Sequence, residues 1–368
     1  MIAVIGLGTM GLGIAQLFAG AGFSVVVTDV DGATRGSAKD RVAQAFNRRV
    51  SDGKLAPDAR DAALARLTVV EDIAAMAGAE LVIEAIAERL GTKQRLLAAL
   101  ERVVAPDAVL ATNTSSLSVA AIATGRTHPE RVLGLHFFNP APVMALVELI
   151  AHPGTSGAAT GVARRLAEAA GKTVVAAPDR PGFVVNRCAR PFYGEALAML
   201  EEGRSAADID AAMRAAGYRL GPFQLIDLIG ADINLAATAT LYAAMGHHPR
   251  YHPFAALSSQ VARGDLGRKT GRGFLFPAEP GSAPLDGAAI VLRIEATLIN
   301  EAGWLLAEGG MTPQAIDTAL RLGLNFPRGP FAMLADHGRE RVRAVLQALE
   351  ARTPFPGRYA LSPILEAA

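Results

Sequence analysis

Two side chains in the middle of the chain have the types and spacing of a general base and its orienting partner. His136 lies in the apolar run 132–138, which ends at Asn139-Pro140, and Glu148 interrupts the apolar run 146–150. Both runs predict short buried strands, the first ending in a turn. If the strands are neighbours, the carboxylate can fix the imidazole tautomer and stabilise the imidazolium that forms on protonation. The alternative is a structural histidine in the core, packed beside a glutamate at the end of a strand. The motifs on either side of this stretch decide between a catalytic and a structural role.

The N-terminus has the pattern of a dinucleotide-binding loop. The motif Gly6-Leu7-Gly8-Thr9-Met10-Gly11 follows the apolar run 1–5 and precedes a helical pattern, and a second β-rich run, 24–28, ends at Asp29. The glycines allow a tight turn and let backbone N–H groups meet a pyrophosphate at the helix N-terminus. Asp29 is placed to accept hydrogen bonds from the adenosine ribose. Asp31 adds a second negative charge that would repel a 2′-phosphate, so we expect NAD rather than NADP.

Short strand patterns alternate with helical ones as far as residue 177, which predicts an α/β fold with a Rossmann-type, doubly wound, mostly parallel sheet. Polar residues follow two of the strands, where ligands of such sheets bind. Glu88 and Lys93 follow one strand, and Asn113 and Ser115 follow another. We expect Asn113 and Ser115 to face the nicotinamide and the reacting oxygen. A helix N-cap before Leu117 is an equally good explanation for the adjacent serine.

Beyond Pro181 the pattern becomes helical, and part of it is repeated. Asn186 interrupts the apolar start of the first helical stretch. A glutamate, an Ile-Asp pair and a Gly-Pro-Phe triplet recur later in the chain at a nearly constant offset, which indicates a duplicated helical domain. The two sets are Glu195, Ile209-Asp210 and Gly221-Pro222-Phe223, and Glu301, Ile316-Asp317 and Gly329-Pro330-Phe331. We therefore expect domains at 1–180, 181–279 and 280–368. The same offset places Leu292 opposite Asn186, so we expect the second copy to lack that polar residue and to be structural.

Composition excludes several classes of protein. The 368 residues carry a net charge of +1, so no nucleic-acid footprint is visible. No apolar run is long enough to span a membrane, and because the first residues enter a strand without a basic segment, we expect no signal peptide. The single cysteine, Cys188, gives no disulfide framework, so a reducing, cytoplasmic location is expected. His248 and His252 have helical spacing, but the prolines beside them favour a loop, and we expect no metal site.

At this point the chain resembles the 3-hydroxyacyl-CoA dehydrogenase family. The matching segments are residues 6–11, Asn113-Thr114-Ser115-Ser116-Leu117, His136-Phe137-Phe138-Asn139-Pro140, Glu148, residues 181–187 and Gly221-Pro222-Phe223. The resemblance implies oxidation of an (S)-3-hydroxyacyl-CoA by NAD. It places the catalytic pair at His136 and Glu148, a substrate-binding serine at Ser115 and an active-site asparagine at Asn186. It places further cofactor contacts at Asp29, Glu88, Lys93, Asn113, Asn139 and Lys269.

Two other functions remain open on the sequence. A dehydrogenase of a sugar acid or a free 3-hydroxy acid could share the His-Glu pair. A catalytically inactive NAD-binding interaction protein is expected to lack one or more of Ser115, His136, Glu148 and Asn186, yet all four are present. Compact members of the family pair through their helical domain. Here the second copy can take that place within the chain, so either a homodimer or a monomer with an intrachain pseudo-dimer is possible.

Overall fold

The structure is a computed structural model that describes residues 1–366. The chain divides into two compact units, Met1–Arg180 and Pro181–Ala368. The first unit is an α/β sheet structure, and the second is helical. This confirms the fold class predicted from the sequence.

The first unit is built on an eight-stranded sheet with the strand order β3-β2-β1-β4-β5-β6-β7-β8. Its strands are β1 (Ile2–Ile5), β2 (Val25–Thr28), β3 (Leu67–Val69), β4 (Leu81–Glu84), β5 (Val109–Thr112), β6 (Val132–Phe137), β7 (Leu146–Ala151) and β8 (Thr173–Pro178). Most are continuous apolar runs, and the central ones are buried on every residue, as expected for a sheet covered on both faces. All neighbouring pairs are parallel except β6 and β7.

Helices connect the strands of the sheet. They are α1 (Thr9–Gly20), α2 (Gly32–Ser51), α3 (Pro57–Ala65), α4 (Leu90–Leu100), α5 (Val119–Ala123) and α6 (Gly157–Ala169). The pair α2 and α3 forms the long crossover between β2 and β3. The crossover in the first βαβ unit, α1, packs Ile14 and Phe18 into the core of the sheet.

The second unit contains eleven α-helices among the described residues. They are α7 (Val185–Cys188), α8 (Arg190–Glu201), α9 (Ala206–Ala215), α10 (Pro222–Ile229), α11 (Ala231–Ala244), α12 (Ala255–Ala262), α13 (Gly287–Ala307), α14 (Pro313–Leu324), α15 (Pro330–His337), α16 (Arg339–Glu350) and α17 (Pro363–Glu366). Within residues 1–366, no single helix is both long and apolar enough to cross a membrane; α10 and α11 reach those limits only together, across a bend of 102°.

The repeated Gly-Pro-Phe motif has a structural cause. Both carboxylate oxygens of the buried Asp210 accept hydrogen bonds from the first N–H groups of α10, at Phe223 (3.0 Å) and Gln224 (2.7 Å). Gly221 precedes them because a Cβ there would lie 2.2 Å from the Asp210 carboxyl carbon. Burial raises the pKa of Asp210 to about 7, although these hydrogen bonds oppose the rise.

The same arrangement occurs in the second half of the unit. The Asp317 carboxylate accepts hydrogen bonds from the N–H groups of Phe331 (2.8 Å) and Ala332 (3.1 Å) at the start of α15. A Cβ on Gly329 would lie 2.3 Å from the side chain of Asp317. The sequence repeat therefore corresponds to the same helix cap, formed twice.

Reciprocal ion pairs join the two halves of the helical unit. The Arg187 guanidinium donates to Glu301 (2.7 Å) and, through both terminal nitrogens, to Glu308 (2.8 and 2.7 Å). Arg293, the counterpart of Arg187 in the second copy, donates back to Glu195 (2.6 Å) and Glu202 (2.6 and 2.7 Å).

Two tyrosines add hydrogen bonds to these reciprocal ion pairs. The Tyr251 hydroxyl donates to Glu301 at 2.5 Å, and the Tyr359 hydroxyl donates to Glu195 at 3.0 Å. Each contact has a counterpart with the halves exchanged, as in an isologous dimer interface. Here both sides of the interface belong to one chain.

Truncation before Pro280 tests this packing. The remaining chain would keep Arg187 and Glu195 but lose their partners in the second copy. It would also uncover the apolar face that the second copy covers, where Phe192 packs on Phe326, and a large exposed apolar patch promotes association. We expect the truncated protein to dimerise or aggregate, as measured by light scattering. A truncated chain that stays monomeric and unfolds at the same denaturant concentration as the full chain would contradict this expectation.

Candidate active site

The one antiparallel pair in the sheet brings the predicted acid–base residues together. In the register of β6 and β7, His136 lies directly opposite Glu148. Their side chains point to the same face, and His136 Nδ1 lies 2.7 Å from Glu148 Oε2. Both residues are buried. The strands are therefore neighbours, as the interaction requires, and the imidazole is held by a carboxylate enclosed in the sheet.

A short connection explains why β6 and β7 are antiparallel. Only residues 138–145 separate the strands, too few for the crossover that a parallel pair needs. The Lys172 ammonium holds this connection by donating to the carbonyls of Ala141 (2.5 Å) and Met144 (2.7 Å). Burial lowers the pKa of Lys172 to about 8. The sequence analysis did not identify Lys172, because its partners are backbone carbonyls far away in the chain, which carry no sequence signal.

Asn113, at the end of β5, is tied to the histidine strand. Its Oδ1 accepts a hydrogen bond of 2.8 Å from the backbone N–H of Phe137, the residue after His136. This contact fixes the carboxamide beside the end of β6. Asn139 follows β6 and is exposed.

Glu88 organises the polar turn after β5. Its Oε1 accepts hydrogen bonds from the Thr114 hydroxyl (2.5 Å) and from the backbone N–H groups of Ser115 (3.1 Å) and Ser116 (3.3 Å). Burial raises the pKa of Glu88, but the Thr114 hydroxyl and the Lys93 charge outweigh it and leave that pKa below its ordinary value. Ser115 itself is exposed. The sequence analysis assigned no role to Thr114, whose hydroxyl donates to Glu88 and accepts a hydrogen bond of 2.9 Å from the Leu117 N–H.

Lys93 is enclosed rather than exposed. Its Nζ lies 2.9 Å from both oxygens of Glu84 and 3.3 Å from Glu88. Burial raises the pKa of Glu84, although the Lys93 charge and the Thr112 hydroxyl oppose the rise. The ammonium therefore links the end of β4 to the turn that presents Ser115.

The glycine loop has the shape that a pyrophosphate requires. A Cβ on Gly11 would lie 1.7 Å from the carbonyl oxygen of Gly6, and Gly6 itself has φ +92° and lies against Ala85. These two glycines are needed for the turn. A Cβ on Gly8, in contrast, would meet nothing within 4 Å, so this position is open to a ligand. Gly8 caps α1 without a side-chain hydrogen bond, which leaves the N–H groups of Thr9 and Met10 available to an anion.

Asp29 is held at the end of β2 beside this loop. Its Oδ2 accepts a hydrogen bond of 2.6 Å from the backbone N–H of Leu7, and its Oδ1 accepts one of 3.0 Å from Asp31. The carboxylate thus fixes the glycine loop from the position that a ribose-binding acid occupies.

Two predicted site residues belong to the second unit. Asn186 is half-buried on α7, and its carbonyl accepts a hydrogen bond of 3.1 Å from the Arg190 side chain. Lys269 pairs with Asp232, with distances of 2.5 and 2.7 Å to the two oxygens. The first helical stretch, in which Asn186 lies, is divided at Ala189 into α7 and α8, with Pro191 in the first turn of α8.

Comparison with known proteins identifies the family. Residues 1–180 match the model of the 3-hydroxyacyl-CoA dehydrogenase NAD binding domain. Residues 182–276 and again 290–368 match the model of the C-terminal domain of the same family. The chain belongs to the 3-hydroxyacyl-CoA dehydrogenase family.

Individual relatives agree with this assignment. A 3-hydroxyadipyl-CoA dehydrogenase of Escherichia coli K12 is 35% identical, over 95% of this chain and 93% of its own length. A 3-hydroxybutyryl-CoA dehydrogenase of Mycobacterium tuberculosis is 41% identical, over 74% of this chain and 96% of its own. The crystal structure of a 3-hydroxybutyryl-CoA dehydrogenase from E. coli K12 has a TM-score of 0.94 at 34% identity and covers 99% of this chain and 97% of that one.

Family membership confirms several of the sequence predictions. The protein is an NAD-dependent oxidoreductase of the 3-hydroxyacyl-CoA dehydrogenase type. The open space above Gly8 and the uncapped start of α1 fit the NAD that the family uses. The roles of individual residues in the reaction remain predictions.

His136→Gln tests the proposed base. Glutamine occupies similar space but cannot take up the substrate proton, so kcat should fall by roughly 10²–10⁴, with NAD affinity retained. His152→Gln is the matched control, because His152 is also buried, directly after β7, and within residues 1–366 its ring bonds only to the Pro129 carbonyl and the Gly154 N–H. Near-normal kcat in the His136 variant, or an equal loss in the control, would refute the assignment.

Asp29→Ala tests cofactor selection. The wild-type protein should have a much larger kcat/KM with NAD than with NADP, since a carboxylate repels the 2′-phosphate. Removing the carboxylate should shrink that ratio. Asp31→Asn, which removes an exposed charge of the α2 cap, should have the smaller effect. A wild-type preference for NADP would show that the role of Asp29 is misassigned.

Proposed function

We propose that this chain oxidises the 3-hydroxyl of an (S)-3-hydroxyacyl-CoA with His136 as general base. The observation that supports the proposal is the 2.7 Å contact between His136 Nδ1 and a buried glutamate, Glu148. A ring that donates from Nδ1 to a carboxylate takes the substrate proton at Nε2. Bound NAD supplies the hydride acceptor for the hydrogen on C3.

The roles of the other polar residues follow from where charge develops. As His136 becomes an imidazolium, Glu148 compensates its positive charge inside the sheet. Ser115 donates a hydrogen bond to the reacting oxygen, and Asn186 donates one to the thioester oxygen. Donors fixed in advance at such oxygens are an efficient form of electrostatic stabilisation.

The cofactor-binding residues divide into two groups. Gly6, Gly8, Thr9, Met10 and Gly11 bind the pyrophosphate through backbone N–H groups, and Asp29 binds the ribose. Asn113 and Asn139 lie towards the nicotinamide end. Glu88 and Lys93 hold the turn that presents Ser115, so they influence this end largely through position. Lys269 stays a candidate contact from the second unit.

The proposal also covers the substrate, the cellular location and the organisation of the second unit. We propose an acyl-CoA substrate, a cytoplasmic location consistent with a single buried cysteine, and a second unit made of two copies, residues 181–279 and 280–368. The second copy is structural, because Leu292 stands where the first copy has Asn186. A monomer with an internal pseudo-dimer accounts for the reciprocal ion pairs.

NADH formation tests the proposed reaction. Purified protein is assayed with NAD and with 3-hydroxybutyryl-CoA, free 3-hydroxybutyrate or a sugar acid. The thioester should be oxidised with a kcat/KM far above those of the free acids. Oxidation of a free acid or sugar acid in preference to every 3-hydroxyacyl-CoA would overturn the proposal. No NADH formation from any of them would support an inactive NAD-binding protein.

A further inference from the structure

The strand directions place Lys172 at the edge of the sheet that holds the proposed site. Because β1, β4, β5 and β6 are parallel, their carboxyl ends share one edge, where the glycine loop, Asn113 and His136 lie. The antiparallel β7 begins at that edge, and β8, which is parallel to β7, begins there as well. Lys172 is the residue directly before β8. It therefore lies at the same edge as the proposed acid–base pair.

The side chain of Lys172 reaches the short connection between β6 and β7. Its ammonium is buried and donates to the carbonyls of Ala141 (2.5 Å) and Met144 (2.7 Å). Within the connection, the N–H groups of Val143 (2.9 Å) and Met144 (3.0 Å) bond to the Pro140 carbonyl, which forms a compact turn. One ammonium thus holds two points of the turn that separates the histidine strand from the glutamate strand.

The same connection packs against the helix of the cofactor loop. A Cβ on Gly13 of α1 would lie 3.4 Å from the Ala141 Cβ and 3.5 Å from the Pro142 Cδ. Ala141, whose carbonyl accepts from Lys172, is buried. The connection is therefore enclosed between the Lys172 ammonium and α1, the helix that begins at the proposed pyrophosphate site.

We propose that Lys172 is a positioning residue for hydride transfer, whose ammonium fixes the connection 138–145 and, through it, the places of His136 and Asn139. This inference rests on the proposed function, because it concerns how that reaction is supported. Lys172 acts through backbone carbonyls and does not contact the reacting atoms in this role. Small displacements matter here, since moving a reacting group by about 1 Å can cost roughly 10²-fold in rate.

The contact depends on a proton that Lys172 loses in an accessible pH range. Burial lowers the pKa of Lys172 to about 8, because the enclosed site disfavours the charged form. Below that pH the ammonium is present, and its charge-assisted hydrogen bonds are stronger than those of a neutral donor. Above it the neutral amine forms and holds the carbonyls more weakly. The connection is therefore fixed most firmly on the acidic side of this pKa.

The charged groups around Lys172 do not supply a counter-ion. Neither α1, β8 nor the connection 138–145 contains an ionisable side chain. On β7, Glu148 bonds to His136. Within residues 1–366 no carboxylate pairs with Lys172. The charged side chains of α6 are paired elsewhere, Arg164 with Glu168 and Arg165 with Glu80.

The pH dependence of kcat in two variants tests the proposal. NADH formation from 3-hydroxybutyryl-CoA at saturating NAD is measured between about pH 6 and about pH 10. The kcat of the wild type should fall above about pH 8. Lys172→Met should be slower by up to about 10²-fold and should lack this fall, because methionine has no proton to lose. Lys172→Arg stays charged, so it should keep more activity than the methionine variant, and its fall should move to higher pH.

Arg131→Met is the matched control for loss of a buried cation that donates to a backbone carbonyl. Arg131 is buried, has no carboxylate partner in the described part of the chain and donates to the Ala105 carbonyl at 2.6 Å. It lies directly before β6, at the opposite end of that strand from the connection. Its variant should lose stability in denaturant unfolding while keeping both kcat and the alkaline fall.

The outcomes separate this inference from the proposed function. Wild-type kcat in Lys172→Met, the same alkaline profile in all three proteins, or no alkaline fall in the wild type overturns the inference, while thioester oxidation still supports the function. Equal losses of kcat in Lys172→Met and Arg131→Met assign Lys172 to stability alone and also overturn it. If Lys172→Met does not fold, the profile of Lys172→Arg decides, and an unshifted fall overturns the inference. Failure of the wild type to oxidise any 3-hydroxyacyl-CoA overturns both.

Discussion

The antiparallel pairing of β6 with β7 is the constraint on which the proposed chemistry depends. In a parallel sheet, a histidine at the end of one strand has no reason to face a carboxylate buried in the middle of its neighbour. Reversing one strand places Glu148 opposite His136 in register, and a one-residue slip would turn one side chain to the other face. The short connection, held by Lys172, leaves little freedom for such a slip.

The helical unit buries charged groups between its two copies and gives each of them an oppositely charged partner. Each copy supplies an arginine to the glutamates of the other, so every buried charge in the exchange has a partner. The second copy provides this surface within the chain. The apolar Leu292 at the position of Asn186 agrees with the proposal that the second copy is structural.

Much of the fold and of the candidate site could be predicted from short sequence motifs. The glycine loop, Asp29 and the strand ends are defined by residues close together in the chain, and the Gly-Pro-Phe triplet revealed the repeat. The cap formed by Asp210 explains that triplet, but no pattern in the triplet alone indicates which residue supplies the carboxylate. The contact between Arg187 and Glu301 joins two distant parts of the chain. The hydrogen bonds of Lys172 go to backbone carbonyls about 30 residues earlier in the chain. Such pairings depend on how distant elements pack, which periodicity and motif spacing do not encode.

The central claim is that His136 and Glu148 act as one unit, and a double-mutant cycle on the hydride-transfer step tests it most directly. Single-turnover NADH formation is measured for the wild type, His136→Gln, Glu148→Gln and the double variant, with enzyme in excess of 3-hydroxyacyl-CoA. Residues that act as a unit are strongly non-additive. The double variant should therefore be about as slow as His136→Gln alone, because Glu148 stabilises a charge that forms only on the histidine. If the two losses multiply, the residues act independently and the account is contradicted.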